Sequence, residues 1–302
     1  MASTSGFIKT NKPRTTQANK PDDLGEVLRE FEDMIGLDAV KEEINKLIAF
    51  ARLIALRRER DIPTGAINLH MVFSGPPGTG KTEVARKVGR LLKSIGLLRR
   101  GHCIEVDRAA LTSVYANSGA QLMTDKVKQA LDGVLFIDEA YTLSGSDPLS
   151  GPDKSGQEVI DTLLKLMEDN RDRLVVIAAG YTDEMRRFIE SNVGLKSRFS
   201  RTIEFESYDA EELFEIFRLM VRKGHYYLTP DAEEAARRHI QWMATQARDS
   251  DFGNARAVRG FFEQLLPLQA ERIAFIPNYE QMSDEEILTI EQEDVIQATE
   301  AG

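Results

Sequence analysis

The chain has 302 residues, 42% of them apolar and 29% charged, which is ample for a large core in one or two domains. Its net charge of −10 argues against a dedicated nucleic-acid binder, and a single cysteine, Cys103, excludes an internal disulfide and fits a reducing compartment. No apolar run approaches the ~20 residues that cross a bilayer, and no apolar core follows the N-terminal lysines as in a signal peptide, so a soluble, cytoplasmic protein without a membrane partner is expected.

Residues 1–22 are rich in Thr, Ser, Lys, Asn and Pro and read as a disordered tail. Helical spacing of Leu24, Val27, Leu28 and Phe31 follows. Gly36 breaks that run, and Asp38 is the expected N-cap of a helix through Val40, Ile44, Leu47, Ile48 and Phe50. Five short apolar strands are predicted at 68–74, 102–106, 134–137, 174–179 and 202–205. The helices between them start near Lys81, near Thr124 and at Gln157, and 144–156 reads as a loop. Continuous apolar strands alternating with helices imply a parallel sheet covered on both faces. Strand signals stop after Asp209, where helices at about 210–223, 230–245 and 254–275 predict a helical subdomain. Its acidic end, 277–302, packs in part through Ile287, Leu288, Ile290, Val295 and Ile296. The predicted organisation is therefore a tail (1–22), an αβα unit (23–206) and a helical unit (207–302). Trp242 is expected in the helical core and Cys103 as a buried, inert thiol.

Gly75-Pro76-Pro77-Gly78-Thr79-Gly80-Lys81-Thr82 matches G-x-x-x-x-G-K-[ST] between a predicted strand and helix, the context that motif requires. Its glycines let successive backbone N–H groups turn toward phosphates, and the helix N-terminus adds positive potential. Lys81 can reach the β- and γ-phosphates, and Thr82 can ligate Mg²⁺. Val134-Leu135-Phe136-Ile137-Asp138-Glu139 puts two acids at the carboxyl end of a buried strand, where ligands of open α/β sheets sit. Asp138 can hold Mg²⁺, and Glu139 can orient and deprotonate an attacking water, which argues for hydrolysis of ATP rather than simple nucleotide sensing. Ser197-Arg198-Phe199-Ser200-Arg201 offers a guanidinium for γ-phosphate charge, with Arg198 the better candidate and Arg201 the second. Arg256, in Gly253-Asn254-Ala255-Arg256, can reach the nucleotide from the second unit.

Phosphate loop, Asp-Glu pair, Arg-bearing turn and Asn-Ala-Arg helix occur in the order found in AAA+ ATPases, and over residues 24–300 the chain resembles the CbbX/CfxQ group. That group includes red-type Rubisco activases, stage V sporulation protein K and the EccA ATPase domain. The matching residues are Ile35-Gly36-Leu37, Leu69-His70-Met71, Gly75 to Thr82, Gly133 to Tyr141, Gly156-Gln157-Glu158, Met167 to Asp172, Ala179-Gly180-Tyr181, Ser197-Arg198-Phe199 and Gly253 to Arg256. The resemblance implies an AAA+ αβα sandwich with a five-stranded parallel sheet and a C-terminal helical lid. It further implies that Arg198 is an arginine finger acting in trans, Arg256 the sensor-2 arginine, and Ile35 and Gly36 part of the adenine pocket. A sensor-1 residue falls near Tyr181–Thr182. The implied assembly is a homo-oligomeric ring, usually a hexamer, whose pore loop grips a protein client, Rubisco in the activases, with a sugar-phosphate effector. Tyr115 matches the pore-loop aromatic, but Tyr115-Ala116-Asn117-Ser118-Gly119 departs from the group's Tyr-Ile/Val-Gly-His-Thr. The client is therefore open between Rubisco and a protein of secretion or development. A non-remodelling nucleotide switch is the third reading, disfavoured by Glu139 and Arg198.

Overall fold

The computed structural model describes residues 23–65, 67–107, 111, 118–144, 146–147, 151–152, 154–246 and 252–300. The N-terminal tail and Tyr115 lie outside the described residues.

Two helices, α1 (Leu24–Glu32) and α2 (Asp38–Glu59), precede the sheet. Between them Gly36 and Leu37 both adopt left-handed backbone. Leu37, not Asp38, is the N-cap of α2 and offers no side-chain cap; Asp38 is the first helical residue, where its charge suits the helix dipole. Next come β1 (Met71–Ser74), α3 (Lys81–Ser94), β2 (Cys103–Val106), α4 (Ser118–Ala130) and β3 (Gly133–Ile137). The segment read as a loop at 144–156 instead pairs Ser146–Asp147 (β4) with Gly151–Pro152 (β5), antiparallel, and α5 (Lys154–Asp169) starts three residues before Gln157. Then follow β6 (Leu174–Gly180), α6 (Thr182–Glu190), α7 (Val193–Arg198) and β7 (Arg201–Glu204).

The five main strands are all parallel, in the order β2-β3-β6-β1-β7. Strands β1, β3 and β6 are buried along their whole length, because helices cover both faces. On one face α1, α2 and α3 meet the sheet through Phe31, Ile44, Leu47, Val88 and Phe73. On the other, Met123, Val127, Leu163, Met167, Phe188 and Leu195 do so. Glu30 of α1 bonds Lys87 and Arg90 of α3, pinning the first helix to the one that carries the phosphate loop. Cys103 is half-buried, and burial pushes its thiol up to about 12, so it stays protonated.

A third cluster forms the helical unit from α8 (Ala210–Lys223), α9 (Pro230–Gln246), α10 (Ala255–Ala274), α11 (Asp284–Leu288) and α12 (Gln292–Glu300). Here strand signals were expected to cease, yet β8 (Tyr227–Leu228) and β9 (Thr289–Ile290) pair in parallel, a two-residue contact too short for any periodicity to announce. Ile290 and Val295 are buried as expected, whereas Ile287 and Ile296 are exposed. Trp242 is 57% exposed rather than in the core, its ring stacked on His239. Buried Asp294 pairs with Arg272 at 2.8 Å and fixes α12 to α10.

Candidate functional site

The phosphate loop links the end of β1 to the start of α3. Gly75 and Gly78 have φ of +147° and +70°. A side chain at Gly75 would meet the Phe205 carbonyl, and one at Gly78 the Gly253 carbonyl, so both positions need glycine for conformation and for space. Gly80, also left-handed, is the N-cap of α3 and provides no side-chain cap. The first-turn N–H groups of α3 are thus left to an anion. Fully buried Thr79 donates its hydroxyl to the Pro76 carbonyl at 2.9 Å and braces the loop from within. The Gly75 N–H donates to the Gly180 carbonyl at 3.1 Å, joining the loop to the end of β6.

A cavity of 400 Å³ opens over this loop. It is lined by Gly75, Pro77, Gly78, Thr79, Gly80, Lys81 and Thr82, by Asp138 and Glu139 from the end of β3, by Gly180 and Tyr181 from the end of β6, and by Arg256 and Arg259 from α10. Parallel strands all end on this side, which is how residues far apart in sequence converge. The Lys81 ammonium donates to the Gly75 and Pro76 carbonyls at 2.8 and 2.6 Å. Burial pulls its pKa down to about 8, partly offset by Asp138 and reinforced by Arg256. Asp138 accepts from the Glu139 N–H at 3.0 Å. Glu139 itself sits in left-handed backbone (φ 47°), and its carbonyl is held by the N–H and hydroxyl of Thr142 at 2.8 and 2.7 Å. The turn that aims this carboxylate is therefore locked from behind.

Thr82 and Asp138 face the same cavity, and no group of three or more His, Cys, Asp or Glu side chains able to hold a metal occurs among the described residues. One hydroxyl and one carboxylate suit Mg²⁺, which keeps waters and takes further oxygens from phosphates.

The helical unit meets the loop first through Asn254, which the Asn-Ala-Arg match included without a role. Asn254 is fully buried; its amide donates to the Pro77 carbonyl at 3.1 Å and its oxygen accepts from the Tyr208 N–H at 3.0 Å. The Ala255 N–H donates to the Gly78 carbonyl at 3.2 Å, and the Tyr208 hydroxyl to the Thr79 carbonyl at 3.3 Å. Arg259 was not singled out, although its position one turn after Arg256 was a usable signal.

Other predicted residues lie elsewhere. Ile35 and Gly36 are absent from the lining of this cavity: Ile35 packs into the helical cluster, and Gly36 lies against the Glu212 carboxylate, which caps α8. Thr182 begins α6 behind Tyr181. Arg198 ends α7 beside a separate cavity of 390 Å³ shared with Asn68, His70, Glu168, Arg171 and Ser197. Its guanidinium lies 3.4 Å from Glu168, and its carbonyl accepts from the Asn68 amide. Arg201 opens β7 opposite Met71. Neither arginine reaches the phosphate loop of its own chain.

A phosphate loop facing an Asp-Glu pair at the carboxyl ends of a parallel sheet, overhung by arginines from a helical lid, defines an ATP hydrolase of the AAA+ type. The profile of the ATPase family associated with various cellular activities (AAA) matches residues 71–207, and that of the AAA lid domain residues 209–302. Protein CbbX of Cereibacter sphaeroides is 40% identical over 271 residues, 89% of this chain and 85% of CbbX. The chloroplastic ribulose bisphosphate carboxylase/oxygenase activase of Cyanidioschyzon merolae is 38% identical, covering 92% of this chain and 93% of that protein. Stage V sporulation protein K of Bacillus subtilis is 36% identical, covering 92% and 84%. Among solved structures, the FIGL-1 AAA domain superposes with a TM-score of 0.58 at 18% identity over 97% of this chain and 92% of that one, a likeness of fold. The chain belongs to the CbbX/CfxQ group of AAA+ ATPases and binds nucleotide.

Proposed function

We propose that this ATPase is a protein remodeller that hydrolyses ATP at sites shared between subunits of a homo-oligomeric, hexameric ring. The observation carrying this reading is that Glu139 and Arg198 belong to different cavities of one chain. A water activated by Glu139 therefore needs an arginine from a neighbour. In this reading residues 23–206 grip the phosphates and residues 207–302 form the lid. Gly75 to Thr82 wrap the phosphates, and Lys81 neutralises the β- and γ-oxygens. Thr82 and Asp138 hold Mg²⁺, which when bound neutralises charge developing on the phosphates. Glu139 takes the proton of the attacking water, the neighbour's Arg198 stabilises the transferring phosphoryl group, and Arg256 senses the nucleotide from the lid. Ile35 and Gly36 border the adenine end through the lid helix α8. The energy is spent on Tyr115, which grips the client in the pore by apolar contact.

The test is to mix two inactive variants. Glu139→Gln and Arg198→Ala subunits each lack one half of a shared site, yet an Arg198→Ala site facing a Glu139→Gln neighbour is complete. Mixing should restore part of the ATPase activity; no recovery would overturn the shared site.

The client reading is Rubisco, supported by 38–40% identity to CbbX and to the activase, with a sugar-phosphate effector and a cytoplasmic setting. Stimulation of the ATPase by inhibited Rubisco and ribulose 1,5-bisphosphate tests it. The altered sequence around Tyr115 favours a second reading, a client outside carbon fixation, as the comparable 36% identity to the sporulation protein allows. A nucleotide-switch scaffold would bind ATP without turning it over.

A further inference from the structure

We infer that Arg259 is a second lid cation for the nucleotide's polyphosphate, acting beside Arg256; this rests on the nucleotide-site reading above. The two arginines are three residues apart on α10, a spacing that puts them on one face of the helix, and both line the cavity over the phosphate loop. The helix beneath them is fixed. Asn254 and Ala255 tie its first turn to the Pro77 and Gly78 carbonyls, and Val258 and Phe261 bury its opposite face. Arg259 therefore projects from a docked, rigid turn rather than from a loop.

The other cations of the cavity already have partners. Arg86 is bound to Glu105 at 2.5 Å, and the Lys81 ammonium lies on two loop carbonyls. Arg256 and Arg259 have no hydrogen-bond or ion-pair partner among the described residues, and both are exposed. Across from them stand Asp138 and Glu139, so the end of β3 presents two carboxylates to a polyanion, while Glu83 of α3 is paired with Lys87 at 3.5 Å. Two guanidiniums without a partner among the described residues offset that charge from the lid and can each bond phosphate oxygens in bidentate fashion. Arg256 is the inner of the two, one turn nearer the helix start that docks on the Pro77 and Gly78 carbonyls. Arg259 is then the outer contact, and a triphosphate engages the pair more fully than a diphosphate.

Arg259→Gln and Arg259→Lys separate charge from packing. The full chain is titrated by calorimetry with Mg²⁺-ADP and with a non-hydrolysable Mg²⁺-ATP analogue, alongside KM and kcat for ATP. Arg259→Gln should weaken the analogue by about tenfold, the size of one charge-assisted contact, weaken ADP less, and raise KM more than it lowers kcat. Arg259→Lys should recover most of the loss, and the melting temperature without nucleotide should not move in either variant. Unchanged affinity for the analogue in Arg259→Gln would overturn the inference. So would lost turnover with intact affinity and a smaller assembly by light scattering, which would make Arg259 an interface residue. Failure of the wild-type chain to bind either nucleotide would instead defeat the site reading itself.

Discussion

The two walls of the nucleotide cavity are fixed by different means. On the sheet wall each functional group is strapped by backbone bonds: Lys81 to Gly75 and Pro76, Glu139 through Thr142, and Gly75 to Gly180. On the lid wall Arg256 and Arg259 have no partner among the described residues, and positioning rests on buried Asn254 together with the Ala255 N–H and the Tyr208 hydroxyl. The sheet wall is preorganised for chemistry, while the lid wall is held in place by a small polar joint. Substitution of the sheet wall's Glu139 should therefore cost turnover and spare affinity, and substitutions on the lid wall should do the reverse.

The largest effect is expected from Arg198→Ala, with kcat down by about 10⁴-fold, in the range for a finger supplied by a neighbour, and ATP affinity nearly unchanged. A parallel loss of affinity would show that Arg198 serves its own chain's site. Glu139→Gln should lower kcat by about 10³-fold, as for a lost general base, while ATP remains bound; unaltered turnover would remove Glu139 from the mechanism. A test of the rigid sheet comes from His70, whose Nδ1 accepts from the Val176 N–H at 3.0 Å. Burial, and then the nearby Arg198 charge, push its pKa down to about 4 from 6.5. The unfolded chain thus takes up a proton that the folded chain refuses. The stability tied to neutral His70 is complete above about pH 6.5 and falls by about 3 kcal/mol as pH drops to 4. Urea melts across that window should show a shallower slope for His70→Asn; an equal slope would mean the ring is not shielded. The smallest effect falls on the lid wall. Asn254→Ala should lower stability by about 2 kcal/mol, the cost of stranding its buried partners, and weaken nucleotide binding with little change in kcat at saturation. A drop in kcat alone would erase the contrast between the walls.

The sheet wall was legible in the sequence because its chemistry dictates its residues. A phosphate cradle needs Gly75, Gly78 and Gly80 where φ is positive, and a water-activating carboxylate must follow a buried strand, as Glu139 follows Ile137. The lid wall was legible only at Arg256, through resemblance. Asn254 entered only as part of the Asn-Ala-Arg match, and its role went unread because its partners, Pro77 and Tyr208, lie far away in sequence. The short helices α6 and α7 went unread because six to nine residues carry too little periodicity. Trp242 was misplaced because an apolar residue among helical neighbours reads as core, although its ring lies flat on His239 at the surface. Ile35 and Gly36 pack toward the lid, Ile35 in its helical cluster and Gly36 against Glu212, contacts that join segments far apart in sequence.

The Arg272–Asp294 pair joins α10 to α12, and with it Ile290, Val295 and Ala298 complete the lid core. These residues are the last of that core to leave a ribosome, long after the phosphate loop has emerged. Until they arrive, the helix carrying Arg256 and Arg259 lacks one of its supports. A chain still being synthesised thus carries its phosphate grip before its lid is braced, and the order of translation separates holding a nucleotide from closing over it.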